Sequence, residues 1–208
     1  GSGNEVGESI QQTVDGGYII TGSTQSIGNG EKDVWLIKTD NQGNEEWNQT
    51  FGGASDDVGY SVFQTNFGGY IITGSTESFG NGEKDVWLIK TDSQGNEEWS
   101  QTFGGNSADG GEFVQQTANG GYIVAGWTNS FSNGNSDAWL IHTNSNGDEE
   151  WNQNFGGSDP DVGLSVHEVF GGGYIVTGYT ESLGSDAKDA WLYKTDSQGN
   201  AQLVKLYG

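Results

Sequence analysis

The chain has 208 residues, with seven lysines, no arginine and 29 acidic residues, so its formal net charge is -22. A field of this sign repels nucleic-acid phosphates and anionic lipid, which excludes nucleic acid as a partner, and no apolar run is long enough for membrane insertion. The 37 glycines, 12% aromatic residues and absence of cysteine indicate a folded chain without disulfides or a thiolate metal site.

The dominant pattern is a repeat of 52 residues that runs through the chain without insertion or deletion. It aligns Asp33 with Asp85, Asp137 and Asp189, and it spaces four tryptophans, beginning with Trp35, in the same way. A fixed period of this length is the signature of a repeat architecture. We predict one domain, residues 1–208, made of four units with the bounds 1–52, 53–104, 105–156 and 157–208.

The elements of one unit follow from the second copy. Two stretches rich in β-branched and aromatic residues, 59–65 and 70–76, predict strands A and B joined by a Gly-Gly hairpin turn. The apolar run 85–91 predicts strand C, covered on both faces. A tight turn at Gly95 then precedes strand D, 97–103. No segment predicts a helix, so each unit is a four-stranded antiparallel sheet.

Such sheets are apolar on both faces and must be covered by neighbouring sheets. Radial stacking of four-stranded sheets gives a β-propeller, so we predict an all-β propeller in which each repeat supplies one blade. Four blades can form a closed ring, or they can form half of an eight-bladed dimer. The chain can equally be part of a longer array.

The segment "LIKTDSQGNEEW" in the second copy resembles the tryptophan-docking motif of quinoprotein-like β-propellers, in which an Asp, a turn Gly and a following Trp close the outer hairpin of each blade. The layout of that family implies that strand A is innermost, strand D is outermost and each repeat is one complete blade. The repeats also resemble tandem repeats of secreted and surface-exposed proteins of archaea and bacteria, which implies an extracellular or cell-surface location. Only the docking motif matches, so no cofactor site is carried over and no cofactor is expected. The docking tryptophans are Trp47, Trp99 and Trp151, and Leu203 takes this place in the fourth copy.

Acidic residues recur in the links that enter strands A and C, which emerge at the same end of the blades. They are Glu5, Asp57, Asp109 and Asp161 before strand A, and Asp33, Asp85, Asp137 and Asp189 before strand C. One interpretation is coordination of Ca²⁺, which prefers carboxylate and amide oxygens. The other interpretation is that the Asp before strand C accepts hydrogen bonds from loop N–H groups. Repetition of this Asp in every blade favours the second, structural role.

Two further sets of residues stand out in strand B and the loop that follows it. The B-to-C loops each carry one apolar residue, which we expect to be buried beneath the loop, although an exposed one would offer a contact for a sugar or peptide. In strand B, Trp127 and Tyr179 replace Ser23 and Ser75. We expect a binding site that is present on only one side of the molecule to lie at these residues. The loop residues are Ile27, Phe79, Phe131 and Leu183.

These observations favour a non-catalytic scaffold or binding module of a secreted or surface protein, with the acidic D-to-A and B-to-C loops as its ligand face. The alternative is a lectin-like carbohydrate binder with one weak site per blade, and the third is an enzyme with carboxylates from different blades at the axis. The expected partners are a protein or a carbohydrate. The expected assembly is a monomer, or a homodimer that completes a larger ring.

Overall fold

The computed structural model describes residues 2–184 and 187–208, in which sixteen strands form four antiparallel sheets. Each sheet, here called blades 1 to 4, takes four consecutive strands from one repeat and keeps them in sequence order. Blade 1 contains β1 (Glu5–Gln12), β2 (Tyr18–Thr24), β3 (Asp33–Thr39) and β4 (Glu45–Phe51). Blade 2 contains β5 (Asp57–Gln64), β6 (Tyr70–Thr76), β7 (Asp85–Thr91) and β8 (Glu97–Phe103). Blade 3 contains β9 (Asp109–Gln116), β10 (Tyr122–Thr128), β11 (Asp137–Thr143) and β12 (Glu149–Phe155). Blade 4 contains β13 (Asp161–Glu168), β14 (Tyr174–Thr180), β15 (Asp189–Thr195) and β16 (Ala201–Tyr207).

The all-β prediction and the four-stranded unit are confirmed. In blade 2 the predicted bounds of strands B, C and D match β6, β7 and β8, whereas strand A begins two residues earlier than predicted, at Asp57. The extra residues pair with the end of β6, and the register shifts between Gly59 and Ser61. Such a bulge bends the strand and lets its apolar pattern continue on the correct face.

Apolar side chains from facing sheets form three cores, one at each junction between successive blades. Strand β7 explains how one sheet serves two junctions. Trp87 and Ile89 point into the core shared with blade 1, whereas Val86 and Leu88 point into the core shared with blade 3. Because alternate residues of a strand face opposite sides of the sheet, this central strand is apolar along most of its length.

The blades form an open arc. The A strands of successive blades contact one another, which places them on the inner side as predicted. The packing that joins successive blades is not repeated between the described residues of blades 4 and 1. Strand β16 is exposed along its whole length. A search of the described residues for a helix long and apolar enough to cross a membrane finds none.

Candidate functional site

The D-to-A and B-to-C links interlock at one end of the arc, here called the loop face. At the first junction the backbone N–H of Asp57 donates to the carbonyl of Lys32 at 2.8 Å, and the backbone N–H of Ser55 donates to Ser78 Oγ at 3.1 Å. An ion pair between Lys32 and Asp56 also joins the B-to-C link of blade 1 to the D-to-A link that follows β4. The loop face is therefore held by bonds between blades as well as within them.

The predicted acidic residues all lie at the loop face, but they are not displayed on it. Glu5 is exposed, whereas none of the seven aspartates is more than 5% exposed. They meet in pairs across junctions, because the Asp that begins strand C of one blade lies near the Asp that begins strand A of the next. The interacting pairs are Asp33 with Asp57, Asp85 with Asp109, and Asp137 with Asp161.

Asp109 is the better satisfied member of its pair. Its Oδ1 accepts hydrogen bonds from the Thr128 hydroxyl and from the backbone N–H groups of Asn129, at 3.1 Å, and Ser130, at 3.2 Å. Its Oδ2 accepts from the Ser130 hydroxyl at 2.6 Å and from the backbone N–H of Gly105 at 3.0 Å. These five donors leave neither oxygen of this buried carboxyl group without a partner.

Asp85 has the opposite environment. Its Oδ2 accepts a bond from the backbone N–H of Asn81 at 2.6 Å, and its Oδ1 is buried with no partner in the described part of the chain. A methyl group added at Gly104 would lie 1.8 Å from this Oδ1 and 2.7 Å from Asp109 Oδ2, so the two oxygens border the same glycine. Burial raises the pKa of Asp85, and the charge of Asp109 raises it further. One proton held on Asp85 satisfies this arrangement best.

The third junction repeats these features. Asp137 Oδ1 is buried with no partner among the residues that the structure describes, and it borders Gly156 together with Asp161 Oδ2. Asp137 Oδ2 accepts from the backbone N–H of Asn133 at 3.3 Å, which is the loop-fixing role expected from the sequence. No group of three or more His, Cys, Asp or Glu side chains is arranged for a metal ion among residues 2–184 and 187–208. Calcium binding therefore stays a prediction.

The docking tryptophans contact the following blade. Trp47 lies against the turn at Gly95, where an added methyl group would be 2.6 Å from its ring, and Trp99 lies against Gly147 in the same way. Both glycines have positive φ, near 80°, so a side chain there would be strained as well as obstructed. Trp151 contacts Gly199 similarly. The motif thus fastens the outer edges of two neighbouring blades.

The apolar residues of the B-to-C loops are half exposed, so the prediction that they are buried is wrong. Phe79 is 47% exposed and Phe131 is 52% exposed. Each ring leans on the tryptophan of its own strand C, with centroid distances of 5.2 Å from Phe79 to Trp87 and 5.5 Å from Phe131 to Trp139. One side of each ring is held by the protein and the other faces solvent. Ile27 of blade 1 and Leu183 of blade 4 occupy the equivalent position and are also partly exposed.

A cleft of about 510 Å³ opens beside Phe79 at the junction of blades 1 and 2. Its lining includes Phe79, Trp87, Thr50, Ser100 and Gln101, so aromatic rings lie beside hydroxyl and amide groups. Small-molecule sites commonly combine an apolar wall with a few polar groups in this way.

The residue at position 100 distinguishes this cleft from the equivalent places in blades 1 and 3. In blades 1 and 3 the indole N–H of the strand C tryptophan donates to an Asn side chain, from Trp35 to Asn48 at 3.3 Å and from Trp139 to Asn152 at 3.1 Å. The equivalent residue in blade 2 is Ser100, which is shorter. No such bond to Trp87 forms within the described residues, so this indole donor is available in the cleft.

The inner side of the arc contains the acids that an axial site would use. Glu8, Tyr60 and Glu112 line a cavity of about 410 Å³. Glu112 Oε1 accepts a hydrogen bond from Trp127 Nε1 at 3.0 Å. Burial raises the pKa of Glu112, and the charge of Glu8 raises it further.

The large side chain of Trp127 is matched by a small residue on the neighbouring strand. Its ring lies over Gly110, where an added methyl group would be 2.8 Å away, and the equivalent residues of the other blades are valines. The large residue in β10 is therefore accommodated by a small one in β9. A second inner cleft, of about 400 Å³, lies beside Trp127, Leu164 and Tyr179. Lys188 Nζ lies 3.8 Å from the centroid of the Tyr179 ring.

Comparison with known proteins supports the fold. No protein-family model matches the sequence, and no curated protein matches it. A 1.35 Å crystal structure of a protein of unknown function from Bacteroides caccae is similar, with a TM-score of 0.56 and 11% identity over 96% of this chain. This chain spans 66% of the length of that protein. At this identity the similarity concerns the arrangement of propeller-like blades alone.

Proposed function

We propose that this chain is a non-catalytic binding module of a secreted or surface protein, and that its loop face binds a protein or carbohydrate ligand. The observation that carries the proposal is the pair of half-exposed rings, Phe79 and Phe131, at equivalent positions of two neighbouring blades. The repeated aspartates support a scaffold role instead, because they are buried and bonded to the loops that they hold.

The arrangement suits binding because the exposed rings are already positioned. Phe79 rests on Trp87, which is itself fixed in the core between blades 1 and 2. A ligand that covers such a ring gains apolar contact without ordering a flexible side chain, which is a main cost of association. The surface location is part of the proposal and rests on the resemblance to tandem-repeat and quinoprotein-like propellers.

The test is a binding screen of the whole chain against immobilised glycans and peptides, followed by titration of any ligand found. The double variant Phe79→Ala with Phe131→Ala should weaken binding about tenfold or more, since two apolar contacts are removed. Phe67→Ala is the matched control, because Phe67 is 92% exposed on a hairpin turn at the opposite end of the blades. Equal affinity of the double variant and the wild type would contradict the proposal.

A carbohydrate is the second, more specific candidate, and the composition of the cleft at blade 2 favours it. A sugar presents a flat apolar surface edged by hydroxyl groups, and the cleft offers the Phe79 ring beside the Trp87 indole donor, Gln101 and Thr50. Ser100→Asn should restore the bond to the indole that blades 1 and 3 possess and fill part of the cleft. This variant should lose sugar binding without losing thermal stability. Unchanged binding by Ser100→Asn would exclude this cleft as the sugar site.

A further inference from the structure

The two ends of the arc expose surfaces that are buried everywhere else in the protein. The rear face of blade 1 is the side turned away from blade 2. Its Ile10 is 63% exposed, whereas the equivalent Val62 of blade 2 is 5% exposed in the first core. The other residues of this rear face are Tyr18, Ile20, Trp35 and Ile37, all partly exposed.

The front face of blade 4 is the complementary surface, turned away from blade 3. Its Tyr207 is 61% exposed, whereas Phe51, the equivalent residue of blade 1, is 9% exposed. Ile175, Ala190 and Leu192 also belong to this face, and their equivalents in blade 1 lie in the first core. Each inner junction is built by packing a front face onto a rear face. The two ends of the arc are therefore the two halves of one more junction of the same type.

We propose that a second copy of this chain binds these ends head to tail, so that two copies build one eight-bladed ring with two additional junctions. Each inner junction uses equivalent residues, so successive blades are related by a similar step, and after four blades the described parts of blades 4 and 1 are still not packed together. A second arc of the same curvature offers a rear face to the free front face and a front face to the free rear face. Such a head-to-tail contact closes when the rotation is completed.

The turn at Gly43 supports this occupant. The equivalent turns at Gly95, Gly147 and Gly199 each receive a tryptophan from the preceding blade, whereas an added methyl group at Gly43 meets none of the described residues within 4 Å. The residue that would reach Gly43 of the second copy is Leu203, which is 43% exposed.

A second unfilled position lies on the inner part of the rear face. At Gly59 and Gly111 an added methyl group would lie 2.4 Å from the hydroxyl oxygen of a threonine in the preceding blade. At Gly7 the one side chain it would meet within 4 Å, among residues 2–184 and 187–208, is Ile20 at 3.8 Å. Thr177 is the equivalent threonine of blade 4, and it is exposed on the free front face. The chain thus carries on one end the groups that its other end lacks.

Charge predicts how this association responds to salt. Each copy carries a formal charge of -22, so two copies repel each other at low ionic strength. The proposed contacts themselves are apolar and are not weakened by screening. The dimer should therefore become tighter as the salt concentration rises.

Sedimentation velocity and small-angle scattering on the whole chain test the proposal. The expected result is a species of twice the 22.1 kDa chain mass with the scattering of a closed disk, and its fraction should rise with salt. Ile10→Asp should give a folded monomer, because it places a charge only on the free rear face. Val14→Asp is the matched control, since Val14 is 95% exposed on the adjacent hairpin turn, and it should remain dimeric.

Tyr207→Asp tests the head-to-tail direction, because it alters only the free front face and should also give a monomer. A mixture of the Ile10→Asp and Tyr207→Asp chains retains one intact junction per pair and should form an open dimer. A wild-type chain that stays monomeric at all concentrations and salt levels would overturn the proposal. So would an assembly larger than two copies, or a dimer that Ile10→Asp leaves unchanged.

Discussion

Exchanging each member of the second aspartate pair for asparagine should destabilise the protein to very different extents, although the two residues border the same glycine. In Asp85→Asn the amide oxygen can accept from the backbone N–H of Asn81 and the amide NH₂ can donate to Asp109 Oδ2. The variant reproduces the hydrogen bonds of a protonated carboxyl group, so it should cost less than about 1 kcal/mol of unfolding free energy at a pH at which Asp85 holds its proton.

In Asp109→Asn the amide group cannot reproduce the hydrogen bonds that the carboxyl group accepts. Its NH₂ group would replace an oxygen that accepts at least two hydrogen bonds, and it would face donors instead. Bonds to a charged acceptor contribute about 1.5 to 3 kcal/mol each, so the loss of two should cost about 3 to 6 kcal/mol. Asp109→Asn should therefore be the more destabilising change by several kcal/mol.

Urea unfolding followed by tryptophan fluorescence, with and without a chelator, measures both variants. The reasoning is refuted if Asp85→Asn is as destabilising as Asp109→Asn, since Asp85 would then act as an anion. A wild-type midpoint that falls with chelator, together with an Asp85→Asn midpoint that does not, would replace the shared proton with a bound cation.

The remaining predictions concern pH and the core. Burial raises the folded-state pKa of Asp33, Asp85 and Asp137, so the stability that their protons provide is complete below about pH 4 and is lost as the pH rises through the raised values. Asp15 acts in the opposite sense, because hydrogen bonds from Thr13 and Lys38 lower its pKa to about 2 and its contribution is lost as the pH falls from about 4 through that value. Unfolding free energy measured between pH 2 and 8 should thus be greatest near the middle of the acidic range, and a profile that is flat from pH 4 to 7 would argue against the paired carboxyls. Separately, Trp87→Ala should cost about 3 to 5 kcal/mol in chemical unfolding, because the side chain is buried between blades 1 and 2, and a cost near zero would contradict that burial.

The sequence predicted the parts of the fold that depend on local chemistry. The turn glycines, the alternation of strand D and the apolar run of strand C are properties of one repeat, so the strands of blade 2 were located almost residue by residue. The start of β5 was missed because its first residues, beginning at Asp57, carry no local strand signal and are held by pairing with β6. Pairing of this kind is set by the neighbouring strand.

The candidate site was harder to predict because it depends on neighbouring blades. Nothing near Asp109 in sequence indicates that Ser130, 21 residues away, donates two hydrogen bonds to it. Phe79 has the local signature of a loop residue that caps a core, yet Trp87 supports only one side of its ring. The acidic residues were placed at the correct end, but their burial follows from loop contacts between blades that no pattern within one repeat encodes.

Because no sheet borrows a strand from another repeat, every blade has all its strand pairings satisfied within its own 52 residues. The number of blades can then change by whole repeats while every sheet keeps its four strands. Only the two end surfaces of the arc must remain complementary to the surfaces that they contact. Genetic recombination between the repeated copies would add or remove one blade in register. The architecture tolerates such length variation, and selection on blade number would act through the ends of the array.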